Sequence, residues 1–156
     1  MTPYSKMSQT AIAAASVLAE AYSAKAVTKL NSADIAQRRD LPQPMIAKVL
    51  TVLSQGGLAK GSPGPGGGYW LSHSPNEISL FDIVTLFERV DDSVSCPFGP
   101  SYCGTGPRCP IHDDLVRLRE QSVAFLKRVK LAAFIEPQLL KLIPATKSSP
   151  RSTKRK

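Results

Sequence analysis

Eight residues, GSPGPGGG at 61–68, hold five glycines and two prolines. Short segments flank them, Leu58-Ala59-Lys60 before and Tyr69-Trp70-Leu71 after. A glycine-rich tip between two such segments predicts a β-hairpin. The rival reading is a phosphate cradle. The loop lacks the GK[ST] ending of a P-loop and has no strand-to-helix surroundings, so a nucleotide site is set aside.

Three helices are predicted ahead of the hairpin. The first runs from Ser8 to about Ser23, with Ile12, Ala15, Val17, Leu18 and Tyr22 near helical spacing. Ser8 is the expected N-cap. The second opens at Asn31 or Ser32 and turns Ile35 and Ala36 to the core. Asp34 in its first turn and Arg38 and Arg39 in its last complement the helix dipole. It stops before Leu41-Pro42. The third spans Gln43 to Gln55 and tolerates Pro44 near its start, where N–H groups have no intrahelical partner. Ile46, Val49, Leu50 and Leu53 form its apolar face, opposite Gln43, Ala47, Lys48, Thr51 and Ser54. Gly56-Gly57 ends it.

Two short helices joined by a tight turn are the helix-turn-helix pattern, although an ordinary helical pair in a core has the same signature. The hairpin directly after them shifts the reading to a winged helix. The usual partner of that arrangement is duplex DNA.

Beyond the hairpin, Ser79 is placed to cap a helix over 79–90 with Leu80, Ile83, Val84 and Phe87 on one face. Then come Cys96, Cys103, Cys109 and His112, spaced Cys-x6-Cys-x5-Cys-x2-His, and the chain has no other cysteine. Thiolates and imidazole select zinc, copper or iron–sulfur centres. Three cysteines and one histidine are an accepted structural zinc set, but zinc ligands usually come in tighter pairs. Spacing alone leaves zinc and iron–sulfur level, with a metal-free thiol switch as a third reading. His112 also reads as a helix-start residue beside Asp113, and His73 as a surface residue. Asp113 and Asp114 begin a predicted long helix to about Phe134. Its residues Leu115, Leu118, Ser122, Phe125 and Val129 recur in steps of three and four, a seam able to pack against another helix.

A chain of 156 residues, 42% of them hydrophobic, is long enough for one domain with a buried core. The formal charge of +8 is unevenly placed. Residues 1–145 hold 15 Lys/Arg against 12 Asp/Glu, whereas the last eleven, TKSSPRSTKRK, hold five Lys/Arg and no acid. That tail is expected to be disordered. No secretory signal is visible, and no apolar run approaches the roughly 20 residues that span a bilayer. The odd cysteine count argues against a disulfide framework, and a cytoplasmic location fits it. No nucleophile–base pair points to an enzyme.

The stretch SADIAQRRDLPQPMIAKVLTVLSQGGLAKGSPGPGGGYWLS, with GPGGGYWL at 64–71 and the three downstream cysteines, resembles the Rrf2 family of bacterial regulators. This is the family of IscR, NsrR and RirA, and the likeness covers about residues 4–143. It implies a mainly α fold with a small β-hairpin wing: a winged helix-turn-helix plus a long C-terminal dimerisation helix. By that likeness, 1–75 is the DNA-binding region, 76–95 a connecting helix, 96–112 a cluster-binding loop, 113–143 the dimerisation segment and 144–156 a basic tail. The implied protein is a homodimeric transcription factor, a repressor by expectation, that binds double-stranded DNA at two half-sites and does not bind membrane.

Cys96, Cys103 and Cys109 fall on the family's cluster-binding cysteines. His112 matches the histidine that completes the 2Fe–2S site of IscR-type members, so 2Fe–2S is preferred over 4Fe–4S or zinc. NsrR-type members take an aspartate near the N-terminus instead, and Gln9 stands at that place here. The chain departs from the IscR pattern at three points. Its first cysteine gap is six residues rather than five, Pro63 replaces the wing arginine, and Ala47 stands where a glutamate tunes site choice. For DNA, Gln43 and Lys48 suit base edges. Lys6, Arg38, Arg39 and Lys60 suit phosphates. Pro44, Ala47, Gly64, Gly66, Gly67 and Tyr69 complete the expected surface.

Overall fold

Ser5, not Ser8, starts the first helix. In the computed structural model, which describes residues 4–90, 98 and 106–135, α1 spans Lys6–Glu20. The Ser5 hydroxyl oxygen accepts from the Ser8 amide at 3.2 Å. Ser8 lies in the first turn, fully buried, and its hydroxyl donates to Glu88. The expectation of Ser8 as cap is therefore corrected, for a reason far away in sequence. Ala11, Ala14, Ala15 and Ala19 are buried along α1 together with Val17 and Leu18. Their small side chains let α3, α2 and α4 all pack closely on this helix.

α2, Ser32–Arg39, is capped by Asn31, whose side-chain oxygen accepts from the Asp34 amide at 2.8 Å. It ends at Asp40 in the left-handed conformation (φ 51°), and the Leu41 amide returns to the Ala36 carbonyl at 3.0 Å. Pro42 then enters α3, Gln43–Gln55. Ile46, Val49, Leu50 and Leu53 are buried as the spacing predicts.

The hairpin pairs β1, Ala59–Ser62, with β2, Gly68–Leu71, antiparallel and in the register Ala59↔Leu71 to Ser62↔Gly68. A third segment joins it. Leu30 exchanges two backbone hydrogen bonds with Tyr69, at 3.0 and 2.8 Å, which ties the hairpin to the residue before the α2 cap. Gly68 allows this close approach, and Gly67 allows the turn that leads into it. A Cβ on Gly67 would lie 2.2 Å from the Ser62 carbonyl oxygen, and one on Gly68 2.9 Å from the Leu30 carbonyl.

α4 is shorter than expected. It spans Leu80–Val84 under a capping box between Ser79 and Asp82, and single turns continue to Glu88 instead of a helix to residue 90. α5 spans His112–Arg128 and does not reach Phe134. Val129 turns extended, its carbonyl accepts from the Leu80 amide at 3.0 Å, and the Leu131 amide donates to Ile78 at 2.9 Å. These bonds pull the chain off the helical path into a 3-10 helix, Leu131–Phe134. Leu126 and Leu131 enter the same core as Leu18, Ile46, Leu50 and Ile83. The architecture is mainly helical with one two-stranded antiparallel sheet.

Candidate nucleic-acid interface and cysteine segment

Burial of one side of α3 leaves the other side to solvent. Pro44, Lys48, Thr51 and Gln55 are exposed and lie four, three and four residues apart, one stripe along the helix. Ala47 borders the stripe, half-buried. Gln43 begins the helix, and its side-chain amide reaches toward the Ser32 hydroxyl at 3.4 Å, linking the starts of α2 and α3. The N-terminal half of α3 is thus presented beside the start of α2.

Lys60 is exposed on β1, and Gly64 and Gly66 form the exposed tip of the hairpin. Gly67 and Tyr69 are half-buried, and the Tyr69 ring covers Gly61, 3.0 Å from where its Cβ would be. A cleft of about 360 Å³ separates the C-terminal half of α3 from the hairpin, lined by Thr51, Gln55, Ser62 and Tyr69 among others. Lys6 is exposed at the start of α1 and Arg38 on α2. Arg39 differs from its neighbour. Its guanidinium pairs with Glu20 and donates to the Ser16 hydroxyl at 2.9 Å, fastening α2 to α1. His73 is exposed.

Of the four candidate metal ligands, Cys96 and Cys103 lie outside the described residues. Cys109 is 4% exposed and sits three residues before α5. His112, half-buried, is the first residue of that helix, and its amide donates to the Cys109 carbonyl at 3.0 Å. The turn brings the two residues together at a helix N-terminus, where negative charge such as a thiolate is stabilised. Three thiolates and one imidazole, in a segment entered by this turn, fit the donor chemistry of zinc and of iron–sulfur centres alike. Gln9 is exposed on α1, and its side-chain amide donates to the Tyr4 carbonyl at 2.8 Å.

The seam on α5 faces outward. Leu118 is 62% and Phe125 42% exposed, with Leu115 and Ser122 half-buried beside them. Val129, half-buried, is the C-cap rather than a helical residue, because of its bond to Leu80. Ile111, just before the helix, is 40% exposed. Among the described residues no helix is long and apolar enough to cross a membrane.

Sequence reasoning missed two features here. One is the Leu30–Tyr69 pairing that seats the hairpin; a single leucine before a cap carries no strand signal. The other is Glu88, read only as part of a helix.

A family model described as "Rrf2: Iron-dependent Transcriptional regulator" matches residues 4–137. The HTH-type transcriptional regulator IscR of Erwinia tasmaniensis is 27% identical over 117 residues, which span 75% of this chain and 70% of that protein. Among solved structures, T. potens IscR superposes with a TM-score of 0.70 at 19% identity, over 92% of this chain and 93% of that one. CymR, described as the global cysteine regulator of B. subtilis, gives 0.69 at 21% identity, over 86% and 97%. At those identities the two structures establish a shared fold.

Proposed function

The chain belongs to the Rrf2 family of transcriptional regulators, and on that footing we propose that it is a homodimeric, iron–sulfur-dependent repressor. Residues 1–75 are the DNA-reading unit, 113–143 the dimerisation segment, and 96–112 the control segment between them. Gln43 and Lys48 read base edges from the N-terminal half of α3, beside Pro44 and Ala47. Lys6, Arg38 and Lys60 hold phosphates, and the tip with Gly64 and Gly66 approaches the adjacent groove.

One observation carries the metal reading. Cys109, buried, and His112 are joined by a single turn where the control segment meets α5. With Cys96 and Cys103 they would hold a 2Fe–2S cluster. When bound, that group supplies a thiolate–imidazole site whose occupancy responds to iron, oxidants or nitric oxide. The chain's own contribution is mechanical. Glu88, before the cysteines, is anchored on α1, and Val129 and Leu131, after them, are anchored on segment 78–80. The chain on either side of the control segment is therefore tied back to the core that α3 shares.

The test is protein purified without oxygen, examined by visible absorption with iron and acid-labile sulfide assays. A coloured protein with equal iron and sulfide is expected, with DNA affinity that differs between the loaded and the chelator-stripped forms. A colourless protein carrying stoichiometric zinc would overturn the cluster. Equal affinity of the two forms would overturn the switch, since a ligand shifts function only through different affinity for the two states.

A phosphate role for Lys60 has its own signature. Lys60→Ala should weaken binding to every duplex alike and reduce the log–log salt slope by about one. A salt titration with an unchanged slope would remove Lys60 from the contact set.

A further inference from the structure

Glu88, the anchor ahead of the cysteines, makes specific contacts. It lies in the turn after α4, half-buried, with its carboxylate at the N-terminus of α1. One oxygen, Oε1, accepts from the Ser5 amide at 3.0 Å and from the Ser8 hydroxyl. Ser5 is the cap of α1 and Ser8 is 0% exposed. A carboxylate in this position satisfies an amide beside the helix start and meets the positive end of the dipole. It also gives a fully buried hydroxyl an acceptor, which such a group needs.

Each side of this contact leads to one of the two functional regions. In one direction only Arg89 and Val90 separate Glu88 from residue 91, in the segment that leads to Cys96. In the other direction, Ser5 immediately precedes Lys6. The Lys6 carbonyl is held by the Thr10 hydroxyl at 2.8 Å, and the same Thr10 oxygen lies 3.2 Å from the Met45 sulfur. Thr10 is 3% exposed, and Met45 stands in the first turn of α3 between Pro44 and Ile46. One carboxylate thus joins the cysteine-bearing segment to the start of α1, and α1 touches α3 where base contacts are expected.

The geometry points to Glu88 as the positioning residue that couples the state of the cysteine segment to the DNA-reading surface. This rests on the sensor reading proposed above. Withdrawal of Glu88 leaves the Ser5 amide and the Ser8 hydroxyl without this acceptor, loosens the first turn of α1, and frees Lys6 and the α1–α3 contact to move. Coupling of this kind is a difference between two states, so it is measured as a ratio of affinities.

The test uses the full chain and a duplex enriched from a random pool by the wild-type protein. Its dissociation constant is measured for the loaded and the chelator-stripped forms of wild type, Glu88→Ala and Glu88→Gln. Hydrogen exchange of the amides of residues 6–9 is followed in parallel. In wild type the two forms should differ by at least about fivefold, the lower end of typical coupling. In Glu88→Ala the ratio should collapse toward one, with faster exchange at residues 6–9 in both forms. Glu88→Gln keeps an acceptor oxygen and should retain most of the ratio. Should Glu88→Ala not fold, Ser8→Ala removes the buried partner and carries the same expectation. A wild-type ratio that survives in Glu88→Ala, with only a lower melting temperature, reduces Glu88 to a structural cap and overturns the coupling. A wild-type ratio of one overturns the sensor reading itself, and the coupling with it.

Discussion

Leu118→Asp combined with Phe125→Asp is expected to turn a dimer into a folded monomer and to weaken binding to a two-half-site duplex by about 100-fold or more. Both side chains stand on the outer face of α5, 62% and 42% exposed in the single chain. In a dimer built on this seam they would be covered. Burial of each apolar side chain contributes roughly 2 kcal/mol. An aspartate in its place costs several kcal/mol more, because its charge would lose water without gaining a partner. Two such sites per protomer are enough to dissociate a dimer of ordinary affinity at about micromolar concentration. The variant should keep its helical circular dichroism, since neither side chain is in the core. Light scattering after size exclusion gives the mass directly. A variant that stays dimeric, or a wild type that is already monomeric, would remove α5 as the interface.

Gly68→Ala should cost about 3 kcal/mol and lower the melting temperature by roughly 10 °C. The backbone there has φ 152°, and an added Cβ would lie 2.9 Å from both the carbon and the oxygen of the Leu30 carbonyl and 3.1 Å from its nitrogen. No rotamer relieves this clash, because every atom involved is main chain. The hairpin must move away from Leu30. It then gives up two backbone hydrogen bonds, each worth about 1 kcal/mol net, and the rest of the cost is strain. Movement of the hairpin also displaces Lys60, so DNA binding should fall along with stability. A melting temperature within about 2 °C of wild type would show that the seating of the wing on Leu30 is not the constraint described here.

Legibility in the sequence followed how local each cause is. α2 and α3 appear where their spacing predicts them. Their limits are decided within a few residues: the Asn31 cap, the left-handed Asp40 and the rigid Pro42. The same holds for the Ser79 capping box. The ends of α1, α4 and α5 were less legible because distant partners decide them. Ser5 and Ser8 satisfy the same capping rule, and Glu88, 80 or more residues on, occupies the hydroxyl of Ser8 and the amide of Ser5. α5 would continue to Phe134 on propensity alone, but Leu80 and Leu131 form bonds that require Val129 to be extended.

The candidate site divides in the same way. Lys48, Lys60 and the glycine tip are exposed where the pattern of burial puts them. Arg38 and Arg39 are adjacent and chemically identical, yet Arg39 is engaged by Glu20 and Ser16 across the α1–α2 contact. Nothing within the helix that bears both arginines could distinguish them. Of the cysteine–histidine run, the structure describes the Cys109–His112 turn, while Cys96 and Cys103 lie outside the described residues.

Periodicity, caps and glycine placement act over one to four residues, and they were enough to predict the helix-turn-helix and the hairpin. The seat of the hairpin on Leu30, the hold of Glu88 on α1, the early end of α5 and the separate fate of Arg39 came only with the packed chain. Each is a contact between segments far apart in sequence, where a partner's geometry overrides what the local residues alone would favour.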